Sequence, residues 1–212
     1  MLVCPVMPAQ QTEISGFRAH FRNPKGFLGR IAGLLMVITN RRINRFVVEM
    51  LDVQARDHVL EIGFGPGRCI AMLAERATNG LVAGVDPSPT MIAQAGARNR
   101  TPLRSGRVEL KVGSVSAIPY PDASFDKVCS VNNIYFWPSR GDDLREIRRV
   151  MKEGCTLALA FRIEPNPASL SKLPSFDPEE AKLLLAAAGF RDARAEVRET
   201  APWTAACVLA RK

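Results

Sequence analysis

Short apolar runs alternate with segments of helical apolar spacing along the chain from residue 58 onward. The first run, His58–Ile62, ends in a glycine-rich turn, and apolar residues then recur at helical spacing through Cys69–Ala77. A short apolar run beside a turn is typical of a buried strand, and a period near 3.6 residues is typical of an amphipathic helix. The pattern therefore predicts a strand followed by a helix.

The same unit repeats further along the chain. Later apolar runs predict strands at Leu81–Val85, Val108–Val112, Phe125–Val131 and Thr156–Phe161. Helices are predicted from about Thr90 to Asn99, after a Pro-Ser-Pro turn, and from Asp142 to Met151, before a Glu-Gly turn. Strands that alternate with helices indicate a parallel sheet with right-handed crossover connections.

The carboxyl-terminal part departs from this alternation. A helix is predicted from Pro178 to Ala188, with an aspartate before it and a glycine after it. Two strands, Ala193–Val197 and Thr204–Ala210, then follow in succession and are expected to pair antiparallel. The sequence therefore predicts an α/β fold with a seven-stranded, mostly parallel sheet whose last strand is antiparallel.

Two segments with apolar helical faces, Phe27–Ile38 and Ile43–Leu51, precede the first strand. We expect them to lie over the sheet, so that residues 1–52 form an N-terminal helical cover and residues 53–212 form one compact α/β unit. The first segment is strongly apolar, but Arg30 interrupts it and it is too short to cross a bilayer.

Composition and charge narrow the functional classes. The chain has 212 residues, of which 47% are hydrophobic and 24% are charged, as in an ordinary globular domain. The net charge of +8 favours acidic partners, but the arginines are spread along the chain at spacings typical of solvated helix faces. We therefore do not expect a nucleic-acid partner, and the oligomeric state stays open.

The amino terminus and the cysteines bear on the compartment. The first eight residues lack the charged and long apolar regions of a signal peptide, which predicts a cytoplasmic protein without a transmembrane segment. No C-x-x-C pair is present, so we expect no metal site and interpret most cysteines as small buried side chains. The cysteines are Cys4, Cys69, Cys129, Cys155 and Cys207.

Three alternating glycines, Gly63, Gly65 and Gly67, stand between the first strand and the first helix. Glycine lets the backbone turn tightly and approach a ligand closely because it has no β-carbon. Asp86 follows about twenty residues later, at the end of the second strand, where a carboxylate accepts both hydroxyls of a ribose. The turn and the acid together predict a nucleoside-binding site.

Two neighbouring residues distinguish between the cofactors that use such a site. A dinucleotide fingerprint requires glycine at the position of Arg68, where helix and strand pack closely, so NAD is disfavoured. Glu61 precedes the turn, and an acidic side chain there suits ammonium and sulfonium charges better than a pyrophosphate. The sequence therefore predicts S-adenosylmethionine as the cofactor.

Four segments in order resemble the class I S-adenosylmethionine-dependent methyltransferases, especially the small-molecule branch that includes ubiquinone and menaquinone biosynthesis enzymes. They are residues 59–67, 82–91, 113–126 and 144–154. The resemblance implies a Rossmann-like methyltransferase fold and methyl transfer to a small, largely apolar acceptor. The family usually has aspartate where this chain has Ser114, which implies a weaker hydrogen bond with the adenine amino group.

The resemblance also implies which residues contact the cofactor. Glu61, Gly63 and Gly65 line the methionine end, and Asp86 holds the ribose. Pro87 and Met91 flank the adenine, and Asn132 borders the transferred methyl group. Residues 114 and 115 meet the adenine edge. The full implied set is Glu61, Gly63, Phe64, Gly65, Gly67, Asp86, Pro87, Ser88, Met91, Gly113, Ser114, Val115 and Asn132.

Displacement at a sulfonium methyl requires alignment and exclusion of water more than a fixed acid or base. The sequence accordingly shows no acid–base constellation, and Tyr135 and His20 are the candidates for positioning the acceptor or acting as a general base. We expect the acceptor between Tyr135–Trp137 and the N-terminal helices. Two alternatives stay open: methyl transfer to RNA or DNA, and a non-catalytic cofactor-binding or membrane-associated protein with an amphipathic segment at 27–46.

Overall fold

The computed structural model describes residues 40–163, 175–201 and 203–212. The helices are α1 (Arg41–Leu51), α2 (Arg68–Ala74), α3 (Pro89–Arg98), α4 (Arg100–Arg104), α5 (Arg140–Val150) and α6 (Pro178–Ala187). The strands are β1 (His58–Ile62), β2 (Leu81–Asp86), β3 (Val108–Val112), β4 (Phe125–Val131), β5 (Met151–Ile163), β6 (Arg191–Glu199) and β7 (Thr204–Arg211). The predicted helix at 27–38 and most of the 1–52 cover segment lie outside the described residues.

Within the described residues, seven strands form one sheet in the order β3-β2-β1-β4-β5-β7-β6. Strands β1 to β5 pair in parallel, whereas β7 runs antiparallel to both of its neighbours, β5 and β6. The predicted α/β sheet with an antiparallel last strand is therefore confirmed. The order of strands reverses between β1 and β4, and such a reversal opens a crevice at the carboxyl ends of the strands.

Helices cover both faces of this sheet. On one face, Phe46 and Leu51 of α1 are buried together with Ile70 and Leu73 of α2, and α3 packs beside them. On the other face, α5 and α6 contribute the buried side chains of a second core cluster. Helix α1 corresponds to the predicted segment at 43–51 and contacts β4, β5 and β7. It thereby places its amino-terminal end close to the crevice.

The main difference from the predicted elements concerns β5, which begins at Met151 rather than at Thr156. Met151 pairs with Phe125, and a register shift follows before Lys127 pairs with Thr156. Gly154 lies within the shifted segment with φ of 73°, a conformation that favours glycine. The Glu-Gly pair therefore marks a bulge inside the strand and not a turn before it.

The described ranges show the length of the helices and the exposure of four cysteines. None of the helices in these ranges has the length and apolar character needed to cross a bilayer. Cys69, Cys129 and Cys207 are buried free thiols, as predicted, whereas Cys155 is partly exposed.

Candidate functional site

The turn after β1 has a backbone conformation that glycine adopts most easily. Gly63, Gly65 and Gly67 have φ values of 68°, 51° and 73°. A β-carbon at Gly67 would lie 2.5 Å from the β-carbon of Ala95 on α3, so the turn packs directly against that helix. The Gly63 amide donates to the carbonyl of Val85 at 2.7 Å. The turn is therefore held between α3 and the end of β2.

Asp86 ends β2 and fastens the glycine turn from the side. The residue is 6% exposed, and its carboxylate accepts hydrogen bonds from the amides of Gly65 and Ser88, both at 2.9 Å. Burial raises the pKa of this carboxyl, although the two amide contacts favour its ionised form. Each carboxylate oxygen has further lone pairs, so Asp86 can also accept hydrogen bonds from ligand hydroxyls.

A cavity of about 320 Å³ lies at the carboxyl ends of β1, β2 and β4, and we call it the main cavity. Its volume is in the range of small-molecule sites. The predicted cofactor residues that line it are Gly63, Gly65, Asp86, Pro87, Met91, Gly113, Ser114, Val115 and Asn132. The other lining residues are Ile62, Val85, Val131, Asn133, Phe136, Trp137 and Pro138. The aromatic segment after β4 therefore supplies one wall of the cavity.

A second space of about 30 Å³ adjoins the main cavity and shares Gly63, Gly65 and Val131 with it. Its other lining residues are Asn40, Asn44, Glu61, Phe64, Pro66 and Arg68. We call this space the polar recess because two amides, a carboxyl and a guanidinium group line it. It has room for about two groups the size of a water molecule.

Glu61 and Arg68 bring unsatisfied polar atoms to the polar recess. Glu61 is 2% exposed, and its Oε2 has no hydrogen-bond partner among the described residues. Burial raises the pKa of this carboxyl well above its ordinary value, and the neighbouring Asp86 raises it further. The Nε of Arg68 is likewise buried without a partner in the described ranges. A buried polar atom without a partner costs about 1–3 kcal/mol, so a polar ligand group that paired with either atom would recover part of that free energy.

Tyr135, the predicted catalytic candidate, lies outside both spaces. Its hydroxyl accepts a hydrogen bond from the Arg162 amide at 2.8 Å and lies 3.2 Å from the Oδ1 of Asn132. Burial raises the pKa of Tyr135, so the hydroxyl is neutral at neutral pH. The side chain therefore joins the ends of β4 and β5. His20, the other candidate, lies outside the described residues.

Two predicted cofactor residues, Ser88 and Gly67, have structural contacts and line neither space. The Ser88 hydroxyl accepts from the Met91 amide at 3.4 Å and caps the first turn of α3. Gly67 packs against α3, and its carbonyl accepts from the Asn99 side chain at 3.0 Å. Both residues thus shape the glycine turn and the helix beside it.

Three polar side chains of the polar recess were not predicted as cofactor contacts: Asn40, Asn44 and Arg68. The sequence does hold a signal for Asn44, which stands in the apolar stripe of α1 with Val47 and Leu51 and is 6% exposed. A buried polar side chain in an apolar stripe is unusual and indicates a specific partner. The other two carry no such pattern, because they come from a helix cap and a helix start.

Comparisons with known proteins agree on one family. The sequence profile described as "Methyltransferase domain" matches residues 59–154. The uncharacterised methyltransferase YdaC of Bacillus subtilis (strain 168) is 31% identical to this chain over 86% of the chain and 98% of YdaC. The 27-O-demethylrifamycin SV methyltransferase of Amycolatopsis mediterranei is 30% identical over 74% of the chain, which spans 58% of that relative's length.

Solved structures show the same fold. The crystal structure of a SAM-dependent methyltransferase from Aquifex aeolicus superposes with a TM-score of 0.72. It shares 21% sequence identity and covers 87% of this chain and 98% of its own. The glycine turn, the acid at the end of β2 and the main cavity therefore stand on a backbone shared with enzymes of this class.

Proposed function

This chain belongs to the class I S-adenosylmethionine-dependent methyltransferases, and on that premise we propose that it methylates a small, largely apolar molecule bound in the main cavity. The observation that carries the proposal is the junction of two unlike spaces. The main cavity combines Asp86 with an aromatic wall, and the polar recess is lined by Glu61 and Arg68, each of which has a buried polar atom without a partner among the described residues. A nucleoside that carries an amino-acid chain requires both.

In the proposed arrangement, the nucleoside part lies in the main cavity. Asp86 accepts hydrogen bonds from the ribose hydroxyls through lone pairs that its two backbone contacts leave available. Pro87 and Met91 contact one side of the adenine, and residues 113–115 meet its edge. The Ser114 hydroxyl already accepts from the Ser116 amide at 3.2 Å, which supports the expectation of a weak contact there.

The charged end of the cofactor's amino-acid part is proposed to reach the polar recess from the main cavity, which adjoins it. Glu61 accepts from the ammonium group, and Arg68 donates to the carboxylate, so that each ligand charge satisfies a buried atom that lacks a partner in the described residues. Asn40 and Asn44 supply amide groups beside them. A pyrophosphate would instead face the Glu61 carboxylate, which disfavours a dinucleotide.

When bound, S-adenosylmethionine supplies a methyl group bonded to a positively charged sulfur, and that sulfur is the leaving group when a nucleophile attacks the methyl carbon. The residues of the chain align the acceptor and keep water away. Val131, Phe136 and Trp137 provide apolar surface beside the site, and Asp86 is the one ionisable side chain among the described residues lining the main cavity. This lining suits a displacement that needs no fixed general base.

We propose different roles for Tyr135 and His20. Tyr135 acts by position, because its hydroxyl holds Asn132 against the end of β5 beside the main cavity. His20 is kept as the candidate general base. A small apolar acceptor is supported by the aromatic wall and by the name of the relative that methylates 27-O-demethylrifamycin SV. Hydroxylated apolar compounds are therefore the acceptors to test first.

Calorimetric titration with S-adenosylmethionine and S-adenosylhomocysteine tests the cofactor. We expect binding to the unsubstituted protein, a loss of affinity in Asp86→Ala, and no loss in the control Glu75→Ala, which removes an exposed carboxylate outside both spaces. Mass spectrometry on a panel of hydroxylated apolar compounds then detects any methylated product. Absence of both heat and thermal shift with either ligand would overturn the proposal.

A further inference from the structure

The main cavity lies between two loops, and α5 forms hydrogen bonds with both of them. The wall that follows β3, residues 113–115, continues into Ser116, and the wall that follows β4, residues 136–138, continues into Ser139. Each serine is therefore the first residue beyond a wall of the cavity. Any group that binds both serines sets the distance between the two walls.

Asp143 is that group. It lies in the first two turns of α5 and is 1% exposed. One carboxylate oxygen accepts from the Ser116 hydroxyl at 2.6 Å, and the other accepts from the Ser139 amide at 3.0 Å. Both walls are therefore hydrogen-bonded to one buried side chain.

The next turn of α5 anchors the first wall again. Glu146 accepts from the Ile118 amide at 2.8 Å, and Arg149 donates to Glu146 at 2.8 Å. The Arg149 contact lowers the pKa of Glu146, so this carboxyl stays ionised at neutral pH. The loop after β3 is thus fixed to α5 at residues 116 and 118. The wall after β4 is fixed to the same helix at Ser139.

We propose that Asp143 is a positioning residue for the nucleoside part of the cofactor. It acts through Ser116 and Ser139, which hold the two walls of the main cavity at the spacing that the adenosine requires. The inference rests on the proposed function. Asp143 itself lines neither space, and the two walls that it binds line the main cavity and contribute no residue to the polar recess.

The test compares 5′-methylthioadenosine, which lacks the amino-acid part, with S-adenosylhomocysteine, which has it. In Asp143→Ala we expect the dissociation constants of both ligands to rise by the same factor, about tenfold. Ser116→Ala removes one of the two contacts at an exposed position and should weaken both ligands by about threefold. In Asp143→Asn the amide donates to the Ser116 hydroxyl and its oxygen accepts from the Ser139 amide, so affinity returns to within about twofold.

Glu75→Ala is the control, because Glu75 is an exposed acidic residue that follows α2 and belongs to neither wall. Unchanged binding of 5′-methylthioadenosine in Asp143→Ala would overturn the proposal, as would a loss confined to S-adenosylhomocysteine. If Asp143→Ala does not fold, Ser116→Ala decides, and unchanged affinity there overturns it.

Failure of the unsubstituted protein to bind either ligand would refute the proposed function instead. Amide hydrogen exchange then still tests the positioning by Asp143 without any ligand. Faster exchange in both 113–118 and 137–139 of Asp143→Ala, restored in Asp143→Asn, would support it. Exchange unchanged in either wall would overturn it.

Discussion

Glu61→Gln is expected to stabilise the ligand-free protein while weakening its binding of the cofactor. Contacts with Cys69 and the Ile70 backbone favour the ionised carboxyl, but burial outweighs them and raises the pKa. The folded protein therefore binds this proton more tightly than the unfolded chain does. The cost of ionising Glu61 is absent well below the ordinary pKa of 4.5 and grows as the pH rises above it.

The magnitude follows from the Oε2 of Glu61, which has no hydrogen-bond partner in the part of the chain that the structure describes. A buried polar atom without a partner costs about 1–3 kcal/mol, and more when it is charged. Glutamine keeps the shape and removes the charge but leaves a polar atom in place, so we expect a gain of about 1–2 kcal/mol near pH 8 and almost none near pH 4. For a chain of this length, that gain raises Tm by about 2–8 °C near pH 8.

Scanning calorimetry at both pH values measures this difference, with the exposed Glu75→Gln as the matched control. Titration with the two ligands measures the functional side, where S-adenosylhomocysteine should bind about tenfold more weakly and 5′-methylthioadenosine should be unaffected. A Tm difference that does not change with pH would refute the electrostatic reasoning. Equal losses for both ligands would refute the placement of Glu61 at the amino-acid end.

Three further substitutions have defined outcomes. Asp86→Ala should weaken S-adenosylmethionine binding by about 1.5–3 kcal/mol in titration, the size of a lost hydrogen bond to a charged group; an unchanged dissociation constant would remove the ribose assignment. Gly67→Ala should destabilise the fold by about 2–4 kcal/mol in denaturant unfolding, because φ is 73° and the new β-carbon meets Ala95. Tyr135→Phe should cost about 1 kcal/mol of stability through lost contact with the Arg162 backbone and leave the pH profile of turnover unchanged, whereas a shifted profile would indicate a general base.

The order of strands and helices was available from the sequence because it depends on local patterns. The boundaries of β1, β3 and β4 agree with the predicted ones, since each strand is a short apolar run between polar turns. The glycine turn and Asp86 were likewise predicted, because a positive φ and a strand-end acid leave a signature within a few residues. The early start of β5 was missed, since its bulge depends on pairing with β4.

Most of the composition of the polar recess was decided by the tertiary structure. Glu61 was expected near the methionine end, but the recess around it is completed by Asn40, which precedes α1, by Asn44 of α1 and by Arg68 of α2. Arg68 had entered the sequence argument merely as a position that lacks glycine. Packing of α1 over the sheet brings these side chains together, and no pattern along the chain encodes how close they lie to one another.

The directions of side chains were also decided by the tertiary structure. Tyr135 belongs to the aromatic segment that lines the main cavity, yet its hydroxyl binds the Arg162 backbone, because Asn132 adopts φ of 51° and a 3₁₀ turn follows. In the sequence, Asp143 looks like an ordinary acid in the first turn of a helix. In the folded protein its carboxylate is buried and accepts hydrogen bonds from the serines that follow the two cavity walls. Periodicity in a sequence reports which residues are buried, whereas the partner of a buried polar group depends on chain segments that only folding brings into contact.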